Sequence, residues 1–115
     1  MQTTPKILIV EDDAMLAMAI ESIVQDMGYW VIGPMHTLRD GLDHATTDDV
    51  DFALLDFDLG NGTDATPIAE KLTARGIPFA FTTATDPKII HRIFAGVIII
   101  PKPIDEAQLE RVLPN

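Results

Sequence analysis

Four short apolar runs in this chain each end on residues able to handle a phosphoryl group. Lys6-Ile7-Leu8-Ile9-Val10 leads into Glu11-Asp12-Asp13, and Phe52-Ala53-Leu54-Leu55 leads into Asp56. Phe79-Ala80-Phe81-Thr82 leads into Thr83, and Val97-Ile98-Ile99-Ile100-Pro101 leads into Lys102. If these runs are neighbouring parallel strands, one sheet edge collects the acids Glu11, Asp12 and Asp56 with a hydroxyl and an ammonium. Such a set holds a divalent cation and offers a carboxylate to phosphorus.

The bulk properties bound what surrounds that set. A chain of 115 residues, 47% of them hydrophobic, suits one domain with one core. Met1 to Lys6 has no apolar signal-like stretch, and the longest apolar run, around Gly96 to Pro101, is far short of a bilayer span. The expectation is a soluble, cytoplasmic protein without membrane insertion, a single domain over 1–115 with no output domain attached. The absence of cysteine excludes disulfides and thiolate metal sites. A formal net charge of −10, with no cluster of Lys or Arg, repels a phosphate backbone and argues against nucleic-acid binding.

Period and punctuation then place the elements. The apolar runs, rich in Ile, Val, Leu and Phe, suit strands buried on both faces by helices. Leu16, Ile20, Ile23, Val24 and Met27 recur at helical spacing over Ala14 to Met27, with Gly28 as the stop. Tyr29-Trp30-Val31-Ile32 reads as a second strand closed by Gly33-Pro34, with Trp30 as a packing residue. Thr37 caps a helix to about Thr46 that turns Leu38, Leu42 and Ala45 inward. Gly60-Asn61-Gly62 is a loop, after which Thr63 or Asp64 caps a helix through Arg75 that tolerates Pro67 in its first turn. Asp86-Pro87 starts a short helix to about Phe94, and Ile104 to Leu113 forms a last helix capped by Asp105. Strand and helix alternate five times, which predicts an α/β fold around a parallel sheet.

In such a sheet, ligands bind beyond the carboxyl ends of the strands, where strand order reverses. Glu11, Asp12, Asp56, Thr83 and Lys102 all fall there. Three carboxylates within about 5 Å repel unless a cation intervenes, and hard oxygen ligands suit Mg²⁺. Asp56 is then the nucleophile toward phosphorus, Lys102 a point charge for one phosphoryl oxygen and Thr83 a hydrogen-bond donor to another.

These residues resemble the response regulator receiver domain over nearly the whole chain. The matching segments are Ile-Leu-Ile-Val-Glu-Asp-Asp (7–13), Leu-Leu-Asp-Phe-Asp-Leu-Gly (54–60), Thr83-Ala84 and Lys102-Pro103, each after a predicted strand. The resemblance implies a flavodoxin-like (βα)5 sandwich with a five-stranded parallel sheet ordered 2-1-3-4-5. It implies Asp56 as phosphoacceptor, with Mg²⁺ held by Asp12, Asp56 and the backbone carbonyl of Asp58, and Glu11 acting mostly through water. Thr83 would be the switch hydroxyl and Lys102 the phosphate-binding lysine before a cis Pro103. Asp58 and Thr85, two residues past the acceptor and the switch threonine, would tune dephosphorylation. A histidine kinase or histidine phosphotransferase would supply the phosphoryl group, near Met15 and Met18 on the first helix. The downstream partner is an unknown protein reached by contact or phosphate relay, from a monomer or weak dimer that is no dedicated enzyme. Asp13 reads as a cap of the first helix rather than a metal ligand.

The chain departs from the receiver pattern in places. Ile99 stands three residues before the lysine, where receivers commonly carry Tyr or Phe, so output must leave through the loop after Thr83 and the fourth helix. Pro101 denies the sheet edge one donor. Pro78-Phe79-Ala80-Phe81-Thr82-Thr83-Ala84 is similar to a subgroup with Phe-Ala-Thr-Gly-Tyr after proline, departing at Thr82, Ala84 and Thr85. Ile89, Ile90, Phe94 and Ile99 offer either an apolar partner face or core packing, with core packing expected for at least half. Met15 and Met18 fit an adaptable interface or a core filler equally. His36, His44 and His91 lack metal-binding spacing. Gly60 to Ala65 matches a dinucleotide-binding glycine pattern but follows the third strand, so the match is fortuitous. Two other readings stay open: a small phosphatase similar to haloacid dehalogenase-type hydrolases, on Asp56-Phe57-Asp58, and an adaptor that takes no phosphate.

Overall fold

The apolar runs form strands because β-branched and aromatic side chains fill both faces of a covered sheet. A computed structural model of the chain describes residues 4–114. Its strands are β1 (Lys6–Val10), β2 (Trp30–Met35), β3 (Phe52–Asp56), β4 (Asp58–Gly60), β5 (Thr63–Asp64), β6 (Phe79–Thr83) and β7 (Ile98–Pro101). Its helices are α1 (Ala14–Asp26), α2 (Leu38–Thr47), α3 (Thr66–Arg75), α4 (Pro87–Ile93) and α5 (Glu106–Val112). Five parallel strands make one sheet in the order β2-β1-β3-β6-β7. Counting the long strands alone, this is the expected flavodoxin-like order 2-1-3-4-5.

Alternation along the strands splits the core into two layers. Leu8, Val10, Ala53, Leu55 and Phe81 meet Ala45 of α2, Ile68 and Leu72 of α3 and Ile90 of α4 on one face. Ile7, Ile9, Phe52, Leu54, Ala80 and Ile100 meet Ile20 and Val24 of α1 and Leu109 of α5 on the other. Each such Leu or Ile taken from water stabilises the fold by about 1.5–3 kcal/mol before chain entropy is counted. Of the four residues around α4, Ile90 is buried while Phe94 and Ile99 pack against the first layer, and Ile89 is exposed.

Several boundaries differ from the sequence expectations. β2 does not close at Gly33-Pro34 but runs through a bulge to Met35, which pairs with Val10 and accepts the Glu11 N–H at 2.8 Å. Gly33 has φ +102°, and a Cβ there would lie 2.7 Å from the Met35 nitrogen, so only glycine fits the bulge. Neither Thr63 nor Asp64 is the N-cap of α3: that position is Ala65, and Asp64 instead accepts the Thr66 N–H at 2.8 Å. The supposed loop Gly60-Asn61-Gly62 is the turn of a β4–β5 hairpin, with Asn61 at φ 54° and Gly62 at φ 74°. Asn-Gly is the favoured pair for that two-residue turn, a readable signal that was missed. Trp30 is not a packing residue. It lies on the edge strand β2 with 64% of its surface exposed. Ile104 stays outside α5, because Asp105 caps it through a reciprocal pair with Gln108.

Candidate functional site

The strand register brings the reactive residues together. Val10 pairs with Leu55, and Asp56 pairs with Thr82, so the turn after β1 lies beside the end of β3. Thr83 pairs with Pro101, and its carbonyl accepts the Lys102 N–H at 2.9 Å. Glu11, Asp12, Asp56, Asp58, Thr83 and Lys102 therefore line one cleft of about 440 Å³ at the carboxyl edge of the sheet. Asp13 caps α1 by accepting the N–H groups of Met15 and Leu16, as expected for a cap.

Inside the cleft, carboxylate oxygens of Glu11, Asp12 and Asp56 lie within 4.8 Å of one another. Glu11 and Asp56 are buried and Asp12 is exposed. The Lys102 ammonium is 3.0 Å from Glu11 Oε1 and 3.3 Å from Asp56 Oδ1. The Asp13 N–H donates to Glu11 Oε2 at 3.1 Å and holds that carboxylate in place. Thr83 is buried, and its hydroxyl oxygen accepts the Thr85 N–H at 2.9 Å. Asp58 is exposed, and its Oδ1 accepts the Gly60 N–H at 3.0 Å.

One ammonium cannot neutralise three carboxylates. Burial, and then hydrogen bonding with Glu11 and Asp12, pushes the Asp56 carboxyl from its ordinary 3.8 up to about 8. Asp12, on the other side of that hydrogen bond from Asp56, is held below the usual range. For Lys102, burial alone would lower the ammonium, but the Glu11 hydrogen bond and the charges of Asp56 and Glu11 outweigh it and raise it. Glu11 Oε1 faces the ammonium closely but has no hydrogen bond of good geometry, although buried. A buried, under-satisfied carboxylate oxygen beside two further carboxylates fits a small hard cation such as Mg²⁺.

A pH dependence follows. Without cation, folded protein keeps a proton on Asp56 that the unfolded chain releases above its ordinary pKa of 3.8. The stability from this raised pKa is full below that value and is lost as pH rises toward about 8. Chelator-treated protein should melt at a lower temperature at pH 8 than at pH 5, and Mg²⁺ should restore more at the higher pH. Equal melting temperatures at both values would show that the trio does not share its charge in this way.

Every predicted site residue thus lies in one cleft. The structure also resolves Met15 and Met18, which are not core fillers but lie 83% and 67% exposed on α1. Ile99 is half-buried and packs against the first layer.

Comparison with known proteins agrees with this arrangement. The family model for the response regulator receiver domain matches residues 7–113. SdrG from Sphingomonas melonis Fr1 is similar at 30% identity, covering 97% of this chain and 95% of that one with a TM-score of 0.80. A CheY-like response regulator receiver domain protein from Methanospirillum hungatei JF-1 matches at 24% identity, over 95% and 90% of the two chains, with a TM-score of 0.81. The response regulator PhyR from Brucella abortus matches at 24% identity over 96% of this chain and 46% of that one, again with a TM-score of 0.81. These last two show the shared fold. Against curated proteins, no sequence match reaches significance. With its sheet order, its cleft and a family match over almost every residue, this chain belongs to the response regulator receiver domain family.

Proposed function

We propose that this receiver accepts a phosphoryl group on Asp56 from a histidine kinase or histidine phosphotransferase, and passes the signal on by protein contact or phosphate relay. The observation that carries this is the convergence of Glu11, Asp12, Asp56, Thr83 and Lys102 on one small cleft. An Asp56 oxygen attacks phosphorus, the donor's bond to phosphorus breaks, and an acyl phosphate forms on the carboxylate. Attack requires the ionised carboxylate, which burial and then the neighbouring acids disfavour and Lys102 favours. Lys102 then pairs with one phosphoryl oxygen as a point charge. Thr83 turns its hydroxyl proton toward another while its oxygen keeps the Thr85 N–H.

Asp12, Asp56 and the carbonyl of Asp58 would hold Mg²⁺, with Glu11 acting through water. Bound there, the ion supplies positive charge that offsets the phosphoryl oxygens. Asp12→Asn, at an exposed position, should leave the fold intact and weaken Mg²⁺ binding about tenfold or more, about 1.4 kcal/mol. Calorimetric titration checks the affinity and circular dichroism the fold; unchanged affinity would remove Asp12 from the ligand set.

The receiver family is not one of dedicated enzymes, and the family match takes the footing from the dehalogenase-like phosphatase alternative. No helix among the described residues is long and apolar enough to cross a membrane. A cytoplasmic site of action accords with a kinase donor and is part of the proposal. Intact mass after incubation with acetyl phosphate, with and without Mg²⁺, tests the reading. A Mg²⁺-dependent gain of one phosphoryl group is expected. Its absence with acetyl phosphate and with histidine kinases would leave a receiver that works without phosphate.

A further inference from the structure

The end of β2 meets the acid site at the backbone of Glu11. Leu8 pairs with Ile32 and Val10 with Met35, so three steps along β2 oppose two along β1. The extra residue belongs to the bulge at Gly33, and it advances everything after it by one position. His36 therefore falls beside Glu11, where an unbulged strand would carry it on to Asp12. The Glu11 N–H donates to the Met35 carbonyl at 2.8 Å, and His36 Nδ1 lies 3.0 Å from the Glu11 carbonyl oxygen. A carbonyl only accepts, so Nδ1 carries the proton and the ring is the donor. Both polar groups of the Glu11 backbone are thus held by two consecutive residues, Met35 and His36. The Glu11 side chain is held separately, by the Asp13 N–H and the Lys102 ammonium.

We infer that His36 is a positioning residue for the cation site, acting through the peptide group that joins Glu11 to Asp12. That planar group contains the Glu11 carbonyl, so a donor on its oxygen fixes the direction in which the chain enters Asp12. Of the three acids, Asp12 depends most on such support. Glu11 and Asp56 are buried, and packing limits where their carboxylates can go, whereas Asp12 is exposed. Its carboxylate is placed chiefly by the backbone that carries it. Asp12 and His36 both line a depression of about 800 Å³ that adjoins the acid cleft at Asp12 and Gly60. The ring needs no contact with the ion. Without the donor, the peptide turns more freely, and ordering Asp12 on cation binding costs more conformational entropy. The inference rests on the proposed role of Asp12 as a Mg²⁺ ligand. A plain clamp on the turn between β2 and α2 would alter stability and leave cation affinity untouched.

The test compares the native chain with His36→Phe, His36→Asn and His36→Gln. Phe keeps a flat ring without a donor. The Asn amide nitrogen stands as many bonds from the backbone as Nδ1, and the Gln amide nitrogen as many as Nε2, so only Asn donates from the right place. In calorimetric titration with MgCl₂, His36→Phe and His36→Gln should bind about tenfold more weakly than the native chain, and His36→Asn close to it. Circular dichroism should show each variant folded at the titration temperature. In cation-free native protein at pH 8, long-range ¹H–¹⁵N spectra should show Nδ1 protonated and Nε2 bare, the reverse of what a free imidazole prefers. Unchanged affinity in His36→Phe, rescue by Gln rather than Asn, or a ring protonated at Nε2 would each overturn the inference. Should His36→Phe not fold, Asn against Gln and the tautomer decide it. Native protein that binds no Mg²⁺, or Asp12→Asn that binds as tightly as native, would refute the cation site and His36 with it. Affinity lost in Asp12→Asn but kept in His36→Phe would refute His36 alone.

Discussion

Asp56→Asn should take no phosphoryl group from acetyl phosphate under conditions where the native protein gains one. Asn keeps the shape of the buried side chain but replaces the anionic oxygen with an amide nitrogen that cannot form an acyl phosphate. The same substitution has a second, opposite consequence for the fold. Asp56 is buried against Glu11 and Asp12, and its carboxyl is pushed to about 8, so near and above that pH the folded protein carries a costly charge. An amide removes the charge and donates to the neighbouring carboxylates. Cation-free Asp56→Asn should therefore be more stable than the native chain at pH 8, by about 1–3 kcal/mol. Loss of labelling with gain of stability is a signature that mere misfolding cannot produce. Labelling that persists in the Asn protein would move the acceptor to another carboxylate of the trio. A stability loss would show that Asp56 is held by favourable partners rather than crowded by like charges.

Phe81→Ala should destabilise the protein by about 3–5 kcal/mol, a large share of the 5–15 kcal/mol typical of a domain. Phe81 is fully buried on β6 and is the hub of three edge-on aromatic contacts. Its ring centroid lies 5.2 Å from Phe57, 5.4 Å from Phe79 and 5.5 Å from Phe94. Truncation loses the transferred area, leaves a cavity that three rings cannot fill together, and removes pair terms of about 0.5–1.5 kcal/mol each. Phe81→Leu keeps most of the volume and should cost clearly less. Urea denaturation followed by circular dichroism measures both. A loss below about 1 kcal/mol for Ala would show that this layer collapses around the gap. The cluster also joins the residue after Asp56 to the residue that ends α4, so its packing anchors both the site and α4.

Much of the site was legible in one dimension because the period of a buried strand is short and its end is abrupt. A run such as Ile7 to Val10 has one plausible fate, and the first polar residue after it must emerge at the sheet edge. Glu11, Asp12, Asp56, Thr83 and Lys102 were all placed by that rule. Asp13, Thr37 and Asp105 were legible as caps and Asp86-Pro87 as a helix start, and each of the four accepts N–H groups two or three residues ahead. Misreadings came where local signals compete. Gly33-Pro34 punctuates most strands, but Val10 and Glu11 supply partners that carry β2 on to Met35. Trp30 has a core residue's side chain, yet its exposure depends on β2 being the edge of the sheet.

Read along the chain alone, the residues give the five long strands, the five helices to within a few residues at their ends, and the side chains at the strand ends, and hence the chemistry on offer. Those are consequences of local periodicity and residue type, which act over a few positions. Tertiary structure alone decided the distances: the three carboxylates within 4.8 Å, Lys102 between Glu11 and Asp56, and the raised Asp56 carboxyl. It also decided that Met15 and Met18 face solvent, that Ile99 packs against the first layer, and that Ile89, Ile93 and Ile98 are exposed. Such facts depend on which strands are neighbours and on which side each helix packs. Desolvation and Coulomb energies depend on separation in space, and residues 45 positions apart in the chain, such as Glu11 and Asp56, are separated by a few ångströms only once the sheet has formed.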